Sequence, residues 1–587
     1  MPRVLFVYAN PAVTAQPVPP YGLECVAHAF RVAGNDVEIL SPFLEDDALG
    51  TLRAAIADAR PDLVGFSVRN LDDALVVRGA EGEGDIDTRD YTGDVAPLVA
   101  EAIRLVGRDN VVLGGSALGA APLAVGRSLG ARWVVAGPAE DLCWRAGRVL
   151  VTEGVVRWAD DPRVVDVDAA VHAPAAPEDK GTPGPAHRTP PPLAARRPGA
   201  EAWRPVPGPT PRDGTWLRLA VTRGARVAVS IATGCDRRCA FCVEPSFTGG
   251  LVRPRAVDDV VTEVRLLAQA GVRRFWLACS EVNVGGTGPA IALFDGLRRA
   301  GLAVPGGPLD FTTYIQPAPV DDALLDALEA CGIDPSGLSF EFGHLDDAVL
   351  RAGGGPANLR QVDRLVDLWL RRGYRVLGGS VLFGAHPAET EGTLARALQR
   401  AREVDGAFPD GFGLAYACGA RVYPGSPLAR WVEANPAGAA AHLYARPGDT
   451  VDTTLVRPVV YCTPWSPRAL LSHVGRALKG TRAPMRPMNA EASASAPALR
   501  AEALVNRAIA RAHGGRVLDA LALLDGALLA VPGHHEALSQ AGQLAANALG
   551  DGARAAGYFR RLLGALPEGD PRHDEVRRVL RALGARP

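Results

Sequence analysis

The sequence predicts an α/β protein made of two successive strand–helix units and a helical C-terminal region. Three patterns predict it. Apolar runs of strand length alternate with amphipathic stretches over residues 4–136. The same alternation returns about six times over residues 217–428. The last stretch repeats itself at one fixed offset, with helical spacing and no strand pattern. With 587 residues, 48% of them hydrophobic, the chain has enough apolar surface for several cores.

In the first unit, residues 4–8, 37–40, 63–67, 111–113 and 132–136 read as strands. Residues 22–33 read as a helix with Leu23, Val26, Ala27 and Phe30 on one face, and 52–59 and 95–106 as two more. This alternation predicts a parallel, Rossmann-like sheet with helices on both faces, which binds ligands at the carboxyl ends of its strands. Those ends carry Gly65-Phe66-Ser67-Val68-Arg69-Asn70, then Gly114-Gly115-Ser116-Ala117-Leu118-Gly119, then Gly137-Pro138-Ala139-Glu140-Asp141. Glycine at a strand end lets the backbone approach a ligand closely. Ser67, Arg69, Gly114, Gly115, Ser116, Gly137 and Glu140 are the candidate contacts. Arg69 has a second reading, an ion pair with Asp72 or Asp73.

This domain spans residues 1–168. Residues 169–213 follow, rich in Pro, Ala and charge, as in Thr189-Pro190-Pro191-Pro192, and read as a linker that cannot bury a core. The central unit covers 214–430. Its predicted strands are 227–231, 274–278, 309–315, 337–342, 376–383 and 412–417, and its helices 257–270, 290–300, 321–330, 357–372 and 390–404. Chemistry in such a unit belongs at the carboxyl ends of the strands.

The first of those ends carries Thr233-Gly234-Cys235-Asp236-Arg237-Arg238-Cys239-Ala240-Phe241-Cys242. Three thiolates this close, Cys235, Cys239 and Cys242, can hold three corners of a four-iron cluster and leave one iron without a ligand from the loop. A structural zinc loop is the alternative, but zinc wants a fourth soft ligand, and Cys25, Cys143, Cys279, Cys331, Cys418 and Cys462 are scattered singly. Ser280 and Glu281 follow the second strand, and Glu341 and Gly343 end the fourth. Gly384-Ala385-His386-Pro387-Ala388-Glu389-Thr390 ends the fifth, and Arg421-Val422-Tyr423-Pro424-Gly425-Ser426-Pro427-Leu428 follows the sixth. Thr312, Tyr314 and Gln316 share one face of the third strand. If that face points inward, Tyr314 is a candidate general base or substrate-orienting group; otherwise it fills core.

Residues 431–495, with Trp431 and Trp465, read as an extension packed over the mouth of this unit. In 496–587, Gly515, Ala520, Leu524, Ala527 and Pro532 recur as Gly550, Ala555, Phe559, Leu562 and Pro567. That recurrence resembles tetratricopeptide repeats, which either bind a protein partner or cap the barrel. A net charge of −2 gives no reason to expect nucleic acid, and no run is long and apolar enough to span a membrane. The first residues enter a strand directly, so a cytoplasmic, reducing location is expected.

The cysteine triplet in its place after a strand resembles the signature of radical S-adenosylmethionine (SAM) enzymes. Six strand–helix units fit the partial (β/α)6 barrel of that family, and the segment at 421–428 closely matches its post-barrel turn. The N-terminal segments resemble, in order and spacing, the cobalamin-binding domain that precedes the barrel in one subfamily. The chain thus resembles the cobalamin-dependent radical SAM methyltransferases over residues 1–430, the linker excluded. Departures exist. Only Glu281 survives of a Gly-Gly-Glu segment, Gly137-Pro138-Ala139-Glu140 matches Gly-x-Gly-Glu in part, and no Asp-x-His-x-x-Gly supplies a cobalt ligand. His28 lies inside a predicted helix and is a poor substitute.

The resemblance implies a [4Fe-4S] cluster on Cys235, Cys239 and Cys242, cobalamin in the N-terminal domain, and SAM near Phe241, Glu281, Glu341 and Gly384. It implies methyl transfer from SAM by way of cobalamin. Arg69 near the lower face of the cobalt would disfavour a sixth ligand without coordinating the metal. Glu281 on the open iron would suppress radical cleavage of SAM and leave polar transfer. These features look most like the branch that methylates carbon 2 of L-tryptophan in thiopeptide antibiotic pathways, with Tyr314 taking the indole proton. Radical methylation of an unactivated carbon or phosphinate is a second reading, and a non-catalytic cobalamin and iron–sulfur binding protein a third. RNA-modifying methylthiotransferases carry three further clustered cysteines ahead of the barrel, where this chain has Cys25 and Cys143. The expected partners are a small substrate and an external electron donor.

Overall fold

The computed structural model describes residues 2–11, 18–74, 76–77, 84–119, 121–137, 150–152, 155–157, 164–168, 209–248, 250–355, 357–483, 485–487 and 496–586. Glu140, Cys143 and the predicted linker up to residue 208 lie outside them.

Strands β1 (Arg3–Tyr8), β2 (Asp36–Leu40), β3 (Leu63–Ser67), β4 (Val111–Gly114) and β5 (Trp133–Val135) pair in parallel. After a short antiparallel pair, β6 (Leu150–Thr152) and β7 (Val155–Arg157), strand β8 (Val164–Asp166) joins the edge of β5 antiparallel. The order is β2-β1-β3-β4-β5-β8. The sequence reading missed β8, a three-residue strand too short to show a period. β1 shows why the sheet is covered on both faces. Val4, Phe6 and Tyr8 enter one core and Leu5, Val7 and Ala9 the other. The chain leaves β1 in opposite directions toward β2 and β3, so a crevice opens at their carboxyl ends.

The central strands are β9 (Val227–Ser230), the two-stranded β10 (Ala232–Thr233) and β11 (Arg253–Pro254), then β12 (Arg274–Ala278), β13 (Asp310–Thr312), β14 (Ser339–Gly343), β15 (Leu377–Phe383) and β16 (Phe412–Cys418). β9, β12 and β13 are parallel neighbours, Ile315 bridges Phe340 in parallel, and β14, β15 and β16 continue the curve. Six parallel strands therefore follow one another in sequence order. Phe340 packs on Trp369 of helix Leu359–Arg371, centroids 5.0 Å apart, so Glu341 and Gly343 face the inside. The same alternation turns Trp276, Tyr314 and Ser380 inward.

The third strand is shorter than its apolar run: after Thr312 the chain turns to other partners, with Val282 N–H donating to Tyr314 O (2.8 Å). The Asn283 side chain donates to Gln316 O (2.9 Å) and accepts from Gln316 N–H (3.0 Å), replacing a neighbouring strand. The predicted helix over 357–372 begins at Leu359, behind a capping box between Asn358 and Gln361. A separate helix, Asp347–Gly353, precedes it and stops at Gly354 in the left-handed region.

β17 (Ala420–Arg421), β18 (Leu443–Ala445) and β19 (Val459–Tyr461) form a small antiparallel sheet, and β20 (Arg486–Pro487) extends the barrel beside β16. Residues of this extension share a core with Phe241, Leu382 and Ala385, so it packs on the cysteine loop and the end of β15.

The C-terminal helices Ala496–His513, Val517–Ala530, His535–Asn547, Gly552–Ala565 and Arg572–Ala582 pack by small residues. Ala520, Ala527, Ala537, Ala541, Ala545 and Ala555 are fully buried. These helices share one core with Val4, Phe6, Leu23 and Trp216. Arg507 pairs with Asp46 (2.7 Å) and Arg223 with Glu502 (2.5 Å). They thus pack against the N-terminal sheet and also against helix Gly214–Thr222 at the start of the central unit.

Candidate functional site

Gly234 sets the path of the cysteine loop. Its φ is +91°, and a Cβ there would lie 1.9 Å from Leu251 O, inside any permissible contact. Ser280 Oγ donates to Gly234 O (3.3 Å) and to Glu244 Oε1 (2.8 Å). Ala240 N–H donates to Gly353 O (2.9 Å), and Leu428 N–H donates to Ala240 O (2.8 Å). The loop is therefore pinned between the helix ending at Gly353 and the helix Pro427–Ala434. Phe241 joins the apolar cluster of Val422 and Leu428. We expect Gly234→Ala to leave the protein folded but to cut iron and sulfide incorporation several-fold on reconstitution. Full cluster content in that variant would show that the glycine does not set the loop.

Burial raises all three thiols, Cys235 to about 11 and Cys239 to about 12. Their mutual proximity and the carboxylates Glu244 and Glu281 add to this. Three thiolates and two carboxylates in one desolvated space need a cationic centre among them, and an iron–sulfur core supplies one. Among the described residues no three His, Cys, Asp or Glu groups could hold a single metal ion. The residues fit a cluster.

Glu281 is the most informative side chain beside the thiols. Burial, then Glu341 and Glu244, push its carboxyl up to about 7, with Arg237 opposing. Its Oε2 is buried and has no hydrogen-bond partner. A buried, unpartnered carboxylate oxygen costs folding energy unless a ligand completes it. Glu341 lies on the neighbouring inner face. Ser380 Oγ donates to its Oε2, and burial raises its carboxyl. Tyr314 is 41% exposed, with its ring edge on Trp276, centroids 5.0 Å apart. Burial of its surroundings and the nearby Glu341 raise its phenol. A side chain both crowded and accessible lines a cavity, so the structure places Tyr314 inside the barrel rather than in the core. Gln316 separates from it, fully buried with both amide atoms unpartnered.

Sequence reasoning missed Glu389. Its Oε2 accepts from Gly384 N–H (2.6 Å), and Oε1 lies 3.4 Å from His344 Nε2. His344 Nδ1 accepts from Asp346 N–H, and neither His344 Nε2 nor Glu389 Oε1 has a hydrogen-bond partner among the described residues. The Gly384 N–H on Glu389 fixes the turn after β15. The signal lay in Gly384-x4-Glu389-Thr390, read only as a motif.

At the crevice of the first sheet, Gly115 (φ +105°) backs onto Val68, whose carbonyl a Cβ would meet at 2.4 Å. Ser116 Oγ donates to Arg69 O (2.7 Å), and Ser67 and Gly114 are register partners. Gly137 ends the third segment with φ +113°. Arg69 is exposed and lies near Tyr8, across the β1–β3 switch. Asp72, one of the two partners its alternative reading named, is held by other groups. Arg421 Nε donates to Asp72 Oδ2 (2.7 Å) and Tyr423 Oη to Asp72 Oδ1 (3.0 Å). The post-barrel segment thus clamps the loop that carries Arg69. His28 lies two turns into helix Tyr21–Val32, away from the crevice. An open edge lined by backbone and one guanidinium fits a large planar cofactor held without histidine.

With this geometry in view, the comparisons define the class. The model of the radical SAM superfamily matches residues 229–401, so the chain contains a radical SAM domain. More particularly, the chain is 26% identical to the tryptophan 2-C-methyltransferase of Streptomyces laurentii, over 72% of this chain and 73% of that protein. It resembles the solved radical SAM methyltransferase TsrM from Kitasatospora setae with cobalamin and a [4Fe-4S] cluster bound, at a TM-score of 0.61 and 22% identity, covering 90% of this chain and all of that one. A second TsrM structure, with tryptophan and a SAM analogue, gives a TM-score of 0.59 at 24% identity and covers 81% of this chain and 88% of that one. These likenesses establish the fold. The ribosomal protein uS12 methylthiotransferase RimO of Kineococcus radiotolerans is 32% identical, but over 33% of this chain and 40% of its own length. The chain spans well under half of that relative.

Proposed function

We infer that this chain is a cobalamin-dependent radical SAM C-methyltransferase that moves a methyl group from SAM to carbon 2 of L-tryptophan by polar transfer. The observation that carries it is the buried, unpartnered Glu281 carboxylate beside the three-thiol loop. Cys235, Cys239 and Cys242 would hold the [4Fe-4S] cluster, and Glu281 would take its remaining iron. When bound, SAM supplies the methyl group and cobalamin carries it.

The chain's own residues do the rest. Ser67, Gly114, Gly115, Ser116 and Gly137 offer backbone and small side chains to the cobalamin, with Glu140 as a further candidate outside the described residues. Arg69 would present to it a cation that cannot ligate a metal. Phe241 holds the Cys242 side of the loop against the extension, and the Gly384 turn, fixed by Glu389, closes the far side of the SAM space. Tyr314 faces the cavity and would take the indole proton on its oxygen as the ring accepts the methyl group, its own hydroxyl proton leaving to solvent, to which the side chain is 41% exposed. The long alignment with a tryptophan 2-C-methyltransferase and the tryptophan in a TsrM structure support the substrate. The match to RimO covers only 33% of this chain, and ahead of the barrel the sequence has Cys25 and Cys143 rather than the three clustered cysteines of a methylthiotransferase.

An external reductant completes the cofactor set, and a reducing, cytoplasmic setting suits it. The recurrence from Gly515–Pro532 to Gly550–Pro567 supports a tetratricopeptide-like array open to a protein partner. Among the described residues no helix is long and apolar enough to cross a membrane. The test is direct. Cluster-reconstituted protein given cobalamin, SAM, reductant and L-tryptophan should yield 2-methyltryptophan and S-adenosylhomocysteine by mass spectrometry. Unchanged tryptophan under these conditions would overturn the substrate assignment.

A further inference from the structure

The geometry points to Glu341 as the group that binds the α-ammonium of the substrate inside the barrel, an assignment that rests on the tryptophan reading above. The inner wall of β12 to β15 carries Trp276, Tyr314, Glu341 and Ser380 in adjoining positions. Glu341 N–H donates to Ile315 O (3.1 Å), which fixes Glu341 one strand over from Tyr314. Glu341 is the register partner of Ser380, whose hydroxyl donates to Oε2. One carboxylate oxygen is thus oriented by a neutral donor and the other is left to the cavity.

No charge on the protein answers it. Among the described residues, no Lys, Arg or His forms an ion pair with Glu341 or with Glu281, although Arg237 lies near Glu281. Two carboxylates share one desolvated cavity with a single arginine near one of them, an arrangement that a bound cation relieves. The position also separates the two ammonium groups available, those of SAM and of the amino-acid substrate. Glu281 and Glu244 lie near the thiols, whereas Glu341 lies near Glu281 and Tyr314. Glu341 is thus on the Tyr314 side of the cavity, where the indole must sit to give up its proton. Tyr314 and Glu341 on adjacent strands would then hold the two ends of one tryptophan, indole and ammonium.

The test is calorimetric titration of cluster-reconstituted, cobalamin-bound protein with L-tryptophan, with 3-(indol-3-yl)propanoate, which lacks the amino group, and with SAM. A charge-assisted contact of this kind is worth about 10- to 100-fold in affinity. Wild-type protein should prefer tryptophan over the deamino compound by that factor. Glu341→Gln should abolish the preference without weakening SAM, and Glu341→Asp, which keeps the charge, should retain part of it. Iron content and the cobalamin spectrum confirm that the variants are folded and loaded. A Glu341→Gln variant that loses SAM affinity instead would assign the carboxylate to SAM and overturn the inference. Equal tryptophan affinity in wild type and Glu341→Gln would overturn it while leaving the substrate reading intact. Wild-type protein that binds neither indole would overturn the substrate reading and this assignment with it.

Discussion

Arg421→Met is expected to destabilise the protein by about 3–5 kcal/mol, because it leaves a buried carboxylate without its counter-charge. Asp72 and Arg421 have side chains 0% and 3% exposed, and they meet at 2.7 Å. The arginine also donates to the carbonyls of Leu455 and Val456, both at 3.0 Å, and to those of Val422 and Val459, so its removal takes a donor from five acceptors. Tyr423 and the Ala74 N–H (2.9 Å) remain on Asp72, and neutral donors do not balance a buried charge. Burial and the adjacent Asp72 already hold the Tyr423 phenol well above its usual range, so it stays protonated and donating. Chemical denaturation of the N-terminal transition measures the loss. The double variant Asp72→Leu/Arg421→Met should recover most of it, since replacing both members of a buried pair with apolar groups is often neutral. A loss below about 1 kcal/mol in the single variant would mean that water reaches the pair. The consequence reaches the site, because Asp72 anchors the loop whose Arg69 stands at the cobalamin crevice.

Tyr314→Phe is expected to lower kcat by about 10²- to 10⁴-fold and to leave the KM for tryptophan within a few-fold, the pattern of a lost proton acceptor. The fold should tolerate the change, since the ring keeps its edge contact with Trp276 and the hydroxyl has no hydrogen-bond partner among the described residues. Single-turnover kinetics under anaerobic conditions separate the chemical step from product release. Unchanged turnover would remove Tyr314 from proton transfer and return it to lining the cavity.

The parts of this account legible in the sequence are those with short-range causes. Three cysteines within eight residues name their chemistry through spacing alone. Alternating apolar positions in 337–342 and 376–383 put the strands nearly where they are found, because a barrel strand must bury its outer face under a helix. Interactions across the fold were hidden. Arg421 and Asp72 lie 349 residues apart, and nothing local in either segment names the other. Glu341 and Ser380 meet only through strand register. The early end of β13 has its counterpart in Val282, a residue of another loop whose N–H takes the Tyr314 carbonyl that the apolar run alone would assign to a neighbouring strand. The C-terminal helices display an apolar face without saying what it covers, and that face proved to share the core of the N-terminal domain.

Polar methyl transfer is proposed because Glu281 would take the place on the cluster that radical cleavage of SAM requires. The most direct test is the product balance in one anaerobic reaction with SAM, L-tryptophan and reductant, counted by mass spectrometry. The account predicts one S-adenosylhomocysteine for each methyltryptophan and no stoichiometric 5′-deoxyadenosine, with 5′-deoxyadenosine unchanged when reductant is raised. Equal amounts of 5′-deoxyadenosine and S-adenosylhomocysteine would contradict it and show that SAM reaches the cluster despite Glu281.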